Sequence, residues 1–412
     1  MDHASAPPIA GDDADDAAAT GANRSTEAGA APIRRARALG LAIAAAADEI
    51  ERTQVIPAPL LADIHAARLC RMLLPRSAGG DEVAPWVYQH AIEEVSRHDA
   101  SVGWNLFVAN SAALIAPFIP LETARAIWAD ERALIAWGPP TAHTARAVPG
   151  GYRVSGEWHF ASGCRQATWM GAHCQVVEPD GSVRLNRFGR PTIRTLLFPA
   201  HHATHIANWN TLGLRGTASE GYTVSDLFVP ESHSGTREDP ALRRDPGPLY
   251  AFTMQGLYAV GVAAVAGGVA RAMLDAFVDL ALEKVPRGLA RLADRPVVQS
   301  DVARREAELG AARAYLTATL QEIYAAADDV APIDAPARAR VRLACAHAIQ
   351  TAVSVADWVY KAAGTSAIFP GTPFERRFRD IHTVSQQIQS RDSHFEAVGR
   401  VLFHGDPDGT FL

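Results

Sequence analysis

The sequence is poor in lysine and has no long uninterrupted hydrophobic segment. Lys284 and Lys361 are its two lysines, so nearly all of its positive charge comes from arginine. The net charge of −6 is mild for 412 residues and gives no reason to expect a nucleic acid as partner. No apolar run reaches the roughly 20 residues of a membrane-spanning helix, so we also expect no membrane insertion.

Cysteine is scarce as well, which argues against a disulfide framework or a zinc site of the Cys-x-x-Cys type. The four cysteines are widely spaced, as is typical of a reducing compartment: Cys70, Cys164, Cys174 and Cys345. The first residues are acidic instead of basic and apolar, unlike a secretory signal. We therefore expect a cytoplasmic protein.

A short histidine-rich segment holds His201, His202 and His205. Their spacing would suit a metal site on a helix. The segment lies between predicted strands, however, and lacks a suitably placed carboxylate. A solvated loop is the interpretation we favour, and no metal is predicted.

Hydrophobic periodicity divides the chain into four parts. Residues 1–30 hold few large apolar side chains and are predicted to be a disordered tail. A helical pattern occupies 31–132. Residues 133–240 read as strands punctuated by Gly and Pro, with candidates at 134–140, 171–177, 194–198 and 221–229. Four long helical segments in 241–412, the last after Pro373, indicate a bundle.

The most informative stretch is 150–164, which reads as a strand followed by a loop of small residues. Tyr152 and Val154 alternate with polar residues, and Trp158 and Phe160 continue the strand until residues 161–163 end it. A small hydroxyl residue beside a glycine lets a flat ligand approach the backbone closely. A plain hairpin strand explains the same pattern, so this stretch alone leaves both interpretations open.

The segment 158–163 resembles the Trp-x-Phe-(Ala/Ser)-Ser-Gly string of acyl-CoA dehydrogenase-like flavoproteins, most of all their two-component monooxygenase branch. Segments 101–105, 209–219 and 362–382 are similar to further strings of these proteins. The resemblance extends over the chain after residue 30. It implies an α+β fold of the acyl-CoA dehydrogenase type, with an N-terminal helical domain, a central antiparallel β-domain and a C-terminal four-helix bundle.

The resemblance also implies a flavin site. In it, Ser162 would hydrogen-bond near flavin N5 and take part in catalysis. Trp137 and Phe160 would wall the isoalloxazine ring, and Thr217 and Ser219 would hold the cofactor tail or the substrate.

Four more residues receive roles from the resemblance. Arg215 offers a cation for a carboxylate or phosphate of the cofactor, and a structural ion pair is its alternative. Trp104, Trp158 and Phe369 would line the substrate pocket. Packing in the core is the alternative for Trp104.

The match fails at the catalytic base. Dehydrogenases of this family carry a Glu about eight residues after the aspartate that corresponds to Asp380, and phenol-hydroxylating monooxygenases carry a Ser-Gln-His string. Here residues 385–388 read Ser-Gln-Gln-Ile, so both bases are missing. Gln387 would instead hydrogen-bond the substrate or flavin. His394, two turns further along a continuous helix, is the candidate replacement base, with a surface or interface role as its alternative.

The function implied by the resemblance is the oxygenase component of a flavin-dependent monooxygenase. It would use reduced flavin (FMN or FAD) and dioxygen, through a C4a-hydroperoxyflavin, to oxygenate a small-molecule substrate. Reduced flavin would diffuse from a separate flavin reductase, because no Gly-x-Gly-x-x-Gly segment after a strand offers an NADH site. The family implies a homotetramer. Two alternatives stay open: an acyl-CoA dehydrogenase with a relocated base, and a non-catalytic flavin-fold assembly protein.

Overall fold

The computed structural model describes residues 23–140, 143–237 and 239–405, and it has the predicted order of helices, strands and helices. The N-terminal helices are α1 (Asn23–Ala38), α2 (Gly40–Thr53), α3 (Ala58–Ala66), α4 (Pro85–His98), α5 (Ala100–Ala113) and α6 (Leu121–Ile127). The predicted tail lies mostly outside the described residues. Its last part, 23–30, forms the start of α1 and is not disordered as predicted.

The central strands form one sheet. They are β1 (Ile135–Trp137), β2 (Thr144–Val148), β3 (Gly151–Ala161), β4 (Trp169–Val177), β5 (Ile193–Pro199), β6 (Thr204–Ile206), β7 (Glu220–Pro230) and β8 (Ser234–Gly235). Their order is β6-β7-β3-β2-β4-β5-β8, with β1 beside β4. Each strand candidate from the sequence overlaps a strand. The sheet is mainly antiparallel, although β1 and β2 both run parallel to β4.

The C-terminal helices are α7 (Met254–Glu283), α8 (Pro296–Ala326), α9 (Ala335–Ala363), α10 (Glu375–Val384) and α11 (Ser393–His404). The first three are long, as predicted, but the fourth helix of the bundle is broken. The chain leaves α10 at Val384 and makes a short 3-10 turn at Ile388–Ser390 before α11. The Gln387 side chain caps this turn by accepting from the Gln389 N–H at 2.6 Å, which explains the break.

The domain bounds drawn from the sequence, 31–132, 133–240 and 241–412, remain predictions. In the structure, helices give way to strands between Ile127 and Ile135, and strands give way to helices between Gly235 and Met254. The fold class itself is confirmed.

Two helical segments are long and apolar enough to cross a membrane by length and composition, Ala100–Phe118 and Met254–Glu283. This corrects the expectation that no such segment exists. Their apolar windows are 83% and 78% buried in the structure. The two helices also touch, since the rings of Phe107 and Tyr258 meet edge to face at 4.9 Å. Their apolar character is therefore accounted for by packing in the core.

Helix α7 lies close to α4 because glycines occupy the contact. A Cβ on Gly261 would lie 2.5 Å from the Tyr88 hydroxyl, and one on Gly268 would lie 2.3 Å from the Glu93 carbonyl oxygen. The adjacent Gly267 has open space instead, with its nearest neighbour, Glu93 Cδ, at 4.0 Å. Only one of these two neighbouring glycines is thus required by packing.

We predict opposite effects for alanine at these two positions. Gly268→Ala should destabilise the protein by about 1–3 kcal/mol, because the α4 backbone cannot yield to the methyl group. Gly267→Ala should be neutral or stabilising by up to about 1 kcal/mol, because alanine is the better helix former. Thermal unfolding of both variants measures the difference. Equal destabilisation would contradict the close α4–α7 contact.

Candidate active site

Strand β3 ends in a strained bulge. Tyr152 and Trp158 on its inner face are buried, as the alternation predicts. The register with β7 then shifts between Trp158 and Ala161, and Phe160 adopts a left-handed backbone with φ 61°. This conformation is costly for an aromatic residue and is typical of functional sites. It leaves the Phe160 ring 63% exposed, edge to face with Trp209 at 6.2 Å.

The loop from Leu214 to Ala218 packs beside this bulge. Leu214 (φ 51°) and Ala218 (φ 40°) are both left-handed and bracket a short 3-10 turn, Arg215–Thr217. Within the turn, Gly216 has no room for a side chain, because a Cβ would lie 2.3 Å from Ile50 of α2. The Gly163 N–H donates to the Thr217 carbonyl at 2.8 Å and so fixes the turn to the end of β3.

Buried hydroxyl groups link this turn to α5. The Trp104 indole Nε1 donates to Ser162 Oγ at 3.0 Å, and Ser162 Oγ lies 2.6 Å from Ser219 Oγ. Ser219 Oγ lies 2.7 Å from Thr217 Oγ1, which donates to the Leu214 carbonyl at 2.8 Å. All four side chains are buried. We call this series, from Trp104 through Ser162, Ser219 and Thr217 to Leu214, the hydroxyl chain.

The C-terminal helices hold the far end of the hydroxyl chain. Asp380 on α10 accepts the Leu214 N–H at 2.6 Å. A Cβ on Gly213 would lie 2.2 Å from the Arg379 carbonyl oxygen, so α10 packs directly on the loop. Burial, together with nearby Asp99, raises the pKa of Asp380 to about 7. The N-terminal helices, the sheet and the C-terminal helices therefore all meet at this site.

The structure brings together Trp104, Ser162, Thr217 and Ser219, four of the residues singled out in the sequence. Trp104 faces Ser162, with its ring edge to face with Phe107 at 4.7 Å. Thr217 is completely buried and its hydroxyl is used internally, so it supports the site from behind. Ser162 is the member of the hydroxyl chain that lies nearest along the sequence to exposed Phe160.

Two tryptophans assigned to the site are buried. Trp158 has no exposed surface: it stacks on Tyr222 at 5.5 Å and donates to the His173 carbonyl at 3.2 Å. It belongs to the inner face of β3, so the structure places it in the core. Trp137 packs against His173, with the Arg237 guanidinium 4.8 Å from its ring centre. Its role at a flavin ring remains a prediction.

Arg215 and Phe369 lie nearer the surface. Arg215 Nε is 3.5 Å from a Glu51 carboxylate oxygen, which matches the structural ion pair considered as its alternative. Phe369 is exposed in the connection between α9 and α10. A direct role of either residue in binding remains a prediction.

The break after α10 removes the basis for His394 as a replacement base. His394 lies on α11, a different helix from the one that ends before Gln387, so the two do not share a helical face. Its ring is buried, with Nε2 2.8 Å from the Ile388 carbonyl oxygen. Burial lowers its pKa, as does the charge of Arg342. These contacts assign His394 to the packing of α11, and Gln387 to the cap described above.

Sequence reasoning gave no role to Asn105. Its Nδ2 donates to the Gly216 carbonyl at 3.3 Å, while its buried Oδ1 has no partner in the described residues. Gln166 Oε1 is also buried without a partner in the described residues, and both Asn105 and Gln166 line a cavity of about 20 Å³ beside Ser162. The cavity has room for one water molecule, which these two oxygens could bind. Asn105 lies in the segment 101–105, but the pattern there drew attention to Trp104.

One possible metal-binding group lies behind the loop. Cys164, His205 and Glu220 offer ligand atoms within 4.8 Å of one another. The Glu220 carboxylate is already paired with Arg165 at 2.5 and 3.1 Å. Burial raises the pKa of the Cys164 thiol to about 12. Because the carboxylate is committed to the Arg165 ion pair, we assign this group to structure.

Comparison with known proteins agrees with this architecture. Residues 260–391 match the family model for the acyl-CoA dehydrogenase C-terminal domain. An indole-3-acetate monooxygenase of Pseudomonas putida is 29% identical, over 87% of this chain and 90% of the relative. The oxygenase component of an FADH2-dependent resorcinol hydroxylase from Rhizobium sp. is 26% identical, over 89% and 92%. The structure of XiaF from Streptomyces sp., in complex with FADH2 and glycerol, superposes with a TM-score of 0.86 at 24% identity, covering 94% and 99%.

The matched C-terminal domain and the superposition show that this chain has the acyl-CoA dehydrogenase-like fold. Among proteins of this fold, the chain resembles the oxygenase components of two-component systems. It is a flavin-dependent monooxygenase, an oxidoreductase that uses reduced flavin. A separate flavin reductase and a small-molecule substrate are implied by this class.

The buried Asp380 predicts a pH-dependent stability. Its pKa is raised in the folded state from 3.8 to about 7. Its contribution to stability is therefore complete below about pH 4 and is lost as the pH rises through 7. Asp380→Asn keeps an acceptor for the Leu214 N–H but does not titrate, so its thermal midpoint should vary less between pH 4 and 8.

Thermal midpoints of the wild type and the variant, measured across this range, test the prediction. Asp279→Asn removes an exposed carboxylate and is the control that should follow the wild type. Parallel curves for the wild type and Asp380→Asn would show that Asp380 does not titrate in the folded protein.

Proposed function

We propose that this chain is an oxygenase component that binds the reduced flavin ring beside Phe160 and Trp209, with Ser162 near N5. The exposed, strained Phe160 gives a flat ring an apolar surface, and the hydroxyl chain gives its polar edge a hydrogen-bonding partner. The residues present therefore fit a flavin. When bound, reduced flavin supplies the electrons that activate dioxygen.

The chain's own residues would serve this chemistry by binding and by excluding water. Phe160 and Trp209 would pack against the ring, and Ser162 would orient its N5 edge. Trp104 keeps the Ser162 side chain in place through its indole N–H. The hydroxyl chain is buried and ends at both sides in a protein group, the Trp104 indole and the Leu214 carbonyl, which would keep Ser162 in one orientation.

We further propose an electron-rich aromatic ring of the indole type as substrate. The supporting observation is that the position of the family base is filled by Gln387, whose side chain is committed to a local cap. A phenol must lose its proton to become a strong nucleophile, whereas the five-membered ring of an indole is nucleophilic while neutral. The similarity to an indole-3-acetate monooxygenase agrees with this choice.

The dehydrogenase alternative has less support. Proton abstraction beside a thioester needs a base within reach of the substrate. Gln387 cannot act as one, and His394 is packed under α11 on the Ile388 carbonyl. The non-catalytic alternative has no feature of the structure in its favour.

We also propose a homotetramer in the cytoplasm. Helix α11 ends in two exposed apolar side chains, Leu402 and Phe403. Exposed apolar groups side by side are typical of surfaces that another subunit covers. The four buried free cysteines agree with a reducing compartment.

Loss of the exposed aromatic ring should weaken flavin binding. Phe160→Ala is expected to lower the affinity for reduced FMN or FAD about tenfold or more, because an aromatic anchor is removed. Phe188→Ala changes another exposed phenylalanine of the sheet region and is the matched control. Anaerobic titration of both variants measures the effect. Unchanged affinity in Phe160→Ala would place the flavin elsewhere.

The substrate proposal predicts a preference among aromatic rings. With a flavin reductase, NADH and dioxygen, indole should gain one oxygen atom at a rate about tenfold or more above that of resorcinol. A general base is worth about 10²–10⁴-fold, and Gln387 fills the position of the family base. Mass spectrometry of the products measures both rates. Faster conversion of resorcinol would contradict the proposal, and peroxide release without any product would count against an indole-type substrate.

A further inference from the structure

The hydroxyl chain has a single fully bonded arrangement of protons. At one end, the Trp104 indole N–H can only donate, and at the other end the Leu214 carbonyl can only accept. Three hydroxyls lie between them, each with one proton, and four hydrogen bonds join the five groups. Four protons fill four links only if Ser162 donates to Ser219, Ser219 to Thr217, and Thr217 to Leu214.

This arrangement decides what Ser162 can offer a ligand. Its proton is used by Ser219, and one of its lone pairs receives the Trp104 N–H. One lone pair remains, so Ser162 can accept a further hydrogen bond but cannot donate one. Ser162, Ser219 and Thr217 are all buried. The cavity of about 20 Å³ beside Ser162 has room for one water, and the unpartnered oxygens of Asn105 and Gln166 that face it would take that water's protons.

The two redox forms of flavin differ at the atom concerned. Reduced flavin carries a hydrogen on N5 and is a donor there, whereas oxidised N5 is a bare nitrogen that needs a donor. We propose that Thr217, acting through Ser219, is a positioning residue that keeps Ser162 an acceptor and so makes the site favour reduced over oxidised flavin. This inference depends on the proposed placement of N5 at Ser162.

The hydrogen bonds of the hydroxyl chain can also run in the opposite direction, and the structure shows which bond is then lost. For Ser162 to donate to oxidised N5, Ser219 must donate to Ser162 and Thr217 to Ser219. Thr217 then gives up the Leu214 carbonyl, which still receives Trp209 Nε1 at 3.0 Å. The free-energy preference for reduced over oxidised flavin is therefore that of about one neutral hydrogen bond. This corresponds to a roughly two- to tenfold ratio of the two affinities.

Asp380 fixes the position of the residue that ends the hydroxyl chain. Its carboxyl accepts the N–H of Leu214, whose carbonyl accepts from Thr217. These two polar groups of Leu214 belong to different peptide units, so Asp380 positions Leu214 and does not change the acceptor strength of its carbonyl. Leu214 is thus held from α10 on one side and from Thr217 on the other.

Thr217→Val tests the proposal, because valine fills the same space but cannot donate to Leu214. The dissociation constants for oxidised and for reduced FMN are measured by titration, the latter without oxygen. The ratio of the oxidised to the reduced constant should fall about two- to tenfold. The midpoint potential of the bound flavin should fall with it, by up to about 30 mV. Thr217→Ser retains the hydroxyl and should keep the wild-type ratio.

A second variant tests the same proposal in case Thr217→Val does not fold. Ser219→Ala cuts the hydroxyl chain next to Ser162 and should lower the same ratio, and thermal unfolding shows whether each variant is folded. An unchanged ratio in folded variants would overturn the proposal, as would equal weakening of both constants, which indicates a purely structural role. Failure of the wild type to bind either form of FMN or FAD would refute the proposed function itself.

Discussion

The site depends on Leu214, whose backbone is held at both of its polar groups. Asp380 of α10 takes its N–H, and Thr217 donates to its carbonyl, which begins the line of hydroxyls to Ser162 and Trp104. Leu214 is left-handed, and such a backbone persists only when its surroundings determine it. The close approach of Gly213 to the Arg379 carbonyl supplies that constraint, so α10 fixes the hydroxyls from a distance.

The arrangement separates binding from acid–base chemistry. The polar groups of the hydroxyl chain are three hydroxyls, an indole N–H and a backbone carbonyl, while Asp380 and Asp99 are buried behind them. The hydroxyl chain can orient a ring, but it does not remove protons at neutral pH. It suits a monooxygenase whose substrate is reactive without a base, and it agrees with the use of Gln387 as a local cap.

Much of the fold followed from short-range patterns in the sequence. Alternation in β3 predicted the burial of Tyr152, Val154 and Trp158, and the strand candidates overlap β1, β4, β5 and β7, because each pattern reflects one buried face. It failed at Phe160, which the bulge turns outward. The break between α10 and α11 was missed. It results from a side-chain cap at Gln387, and an apolar period continuing across this position gives no sign of a cap. That error alone made His394 look like a neighbour of Gln387.

Reading the sequence alone predicted the class of fold, the loop that ends β3, and the four residues Trp104, Ser162, Thr217 and Ser219 that the structure brings into contact. It could do so because these residues lie in short strings that recur in related proteins. The tertiary structure decided their roles, because donor and acceptor roles follow from distances between residues remote in sequence. It placed Trp158 in the core, Thr217 behind Ser162, and Asp380 on the N–H of Leu214. It also showed in which direction the hydroxyls donate their hydrogen bonds.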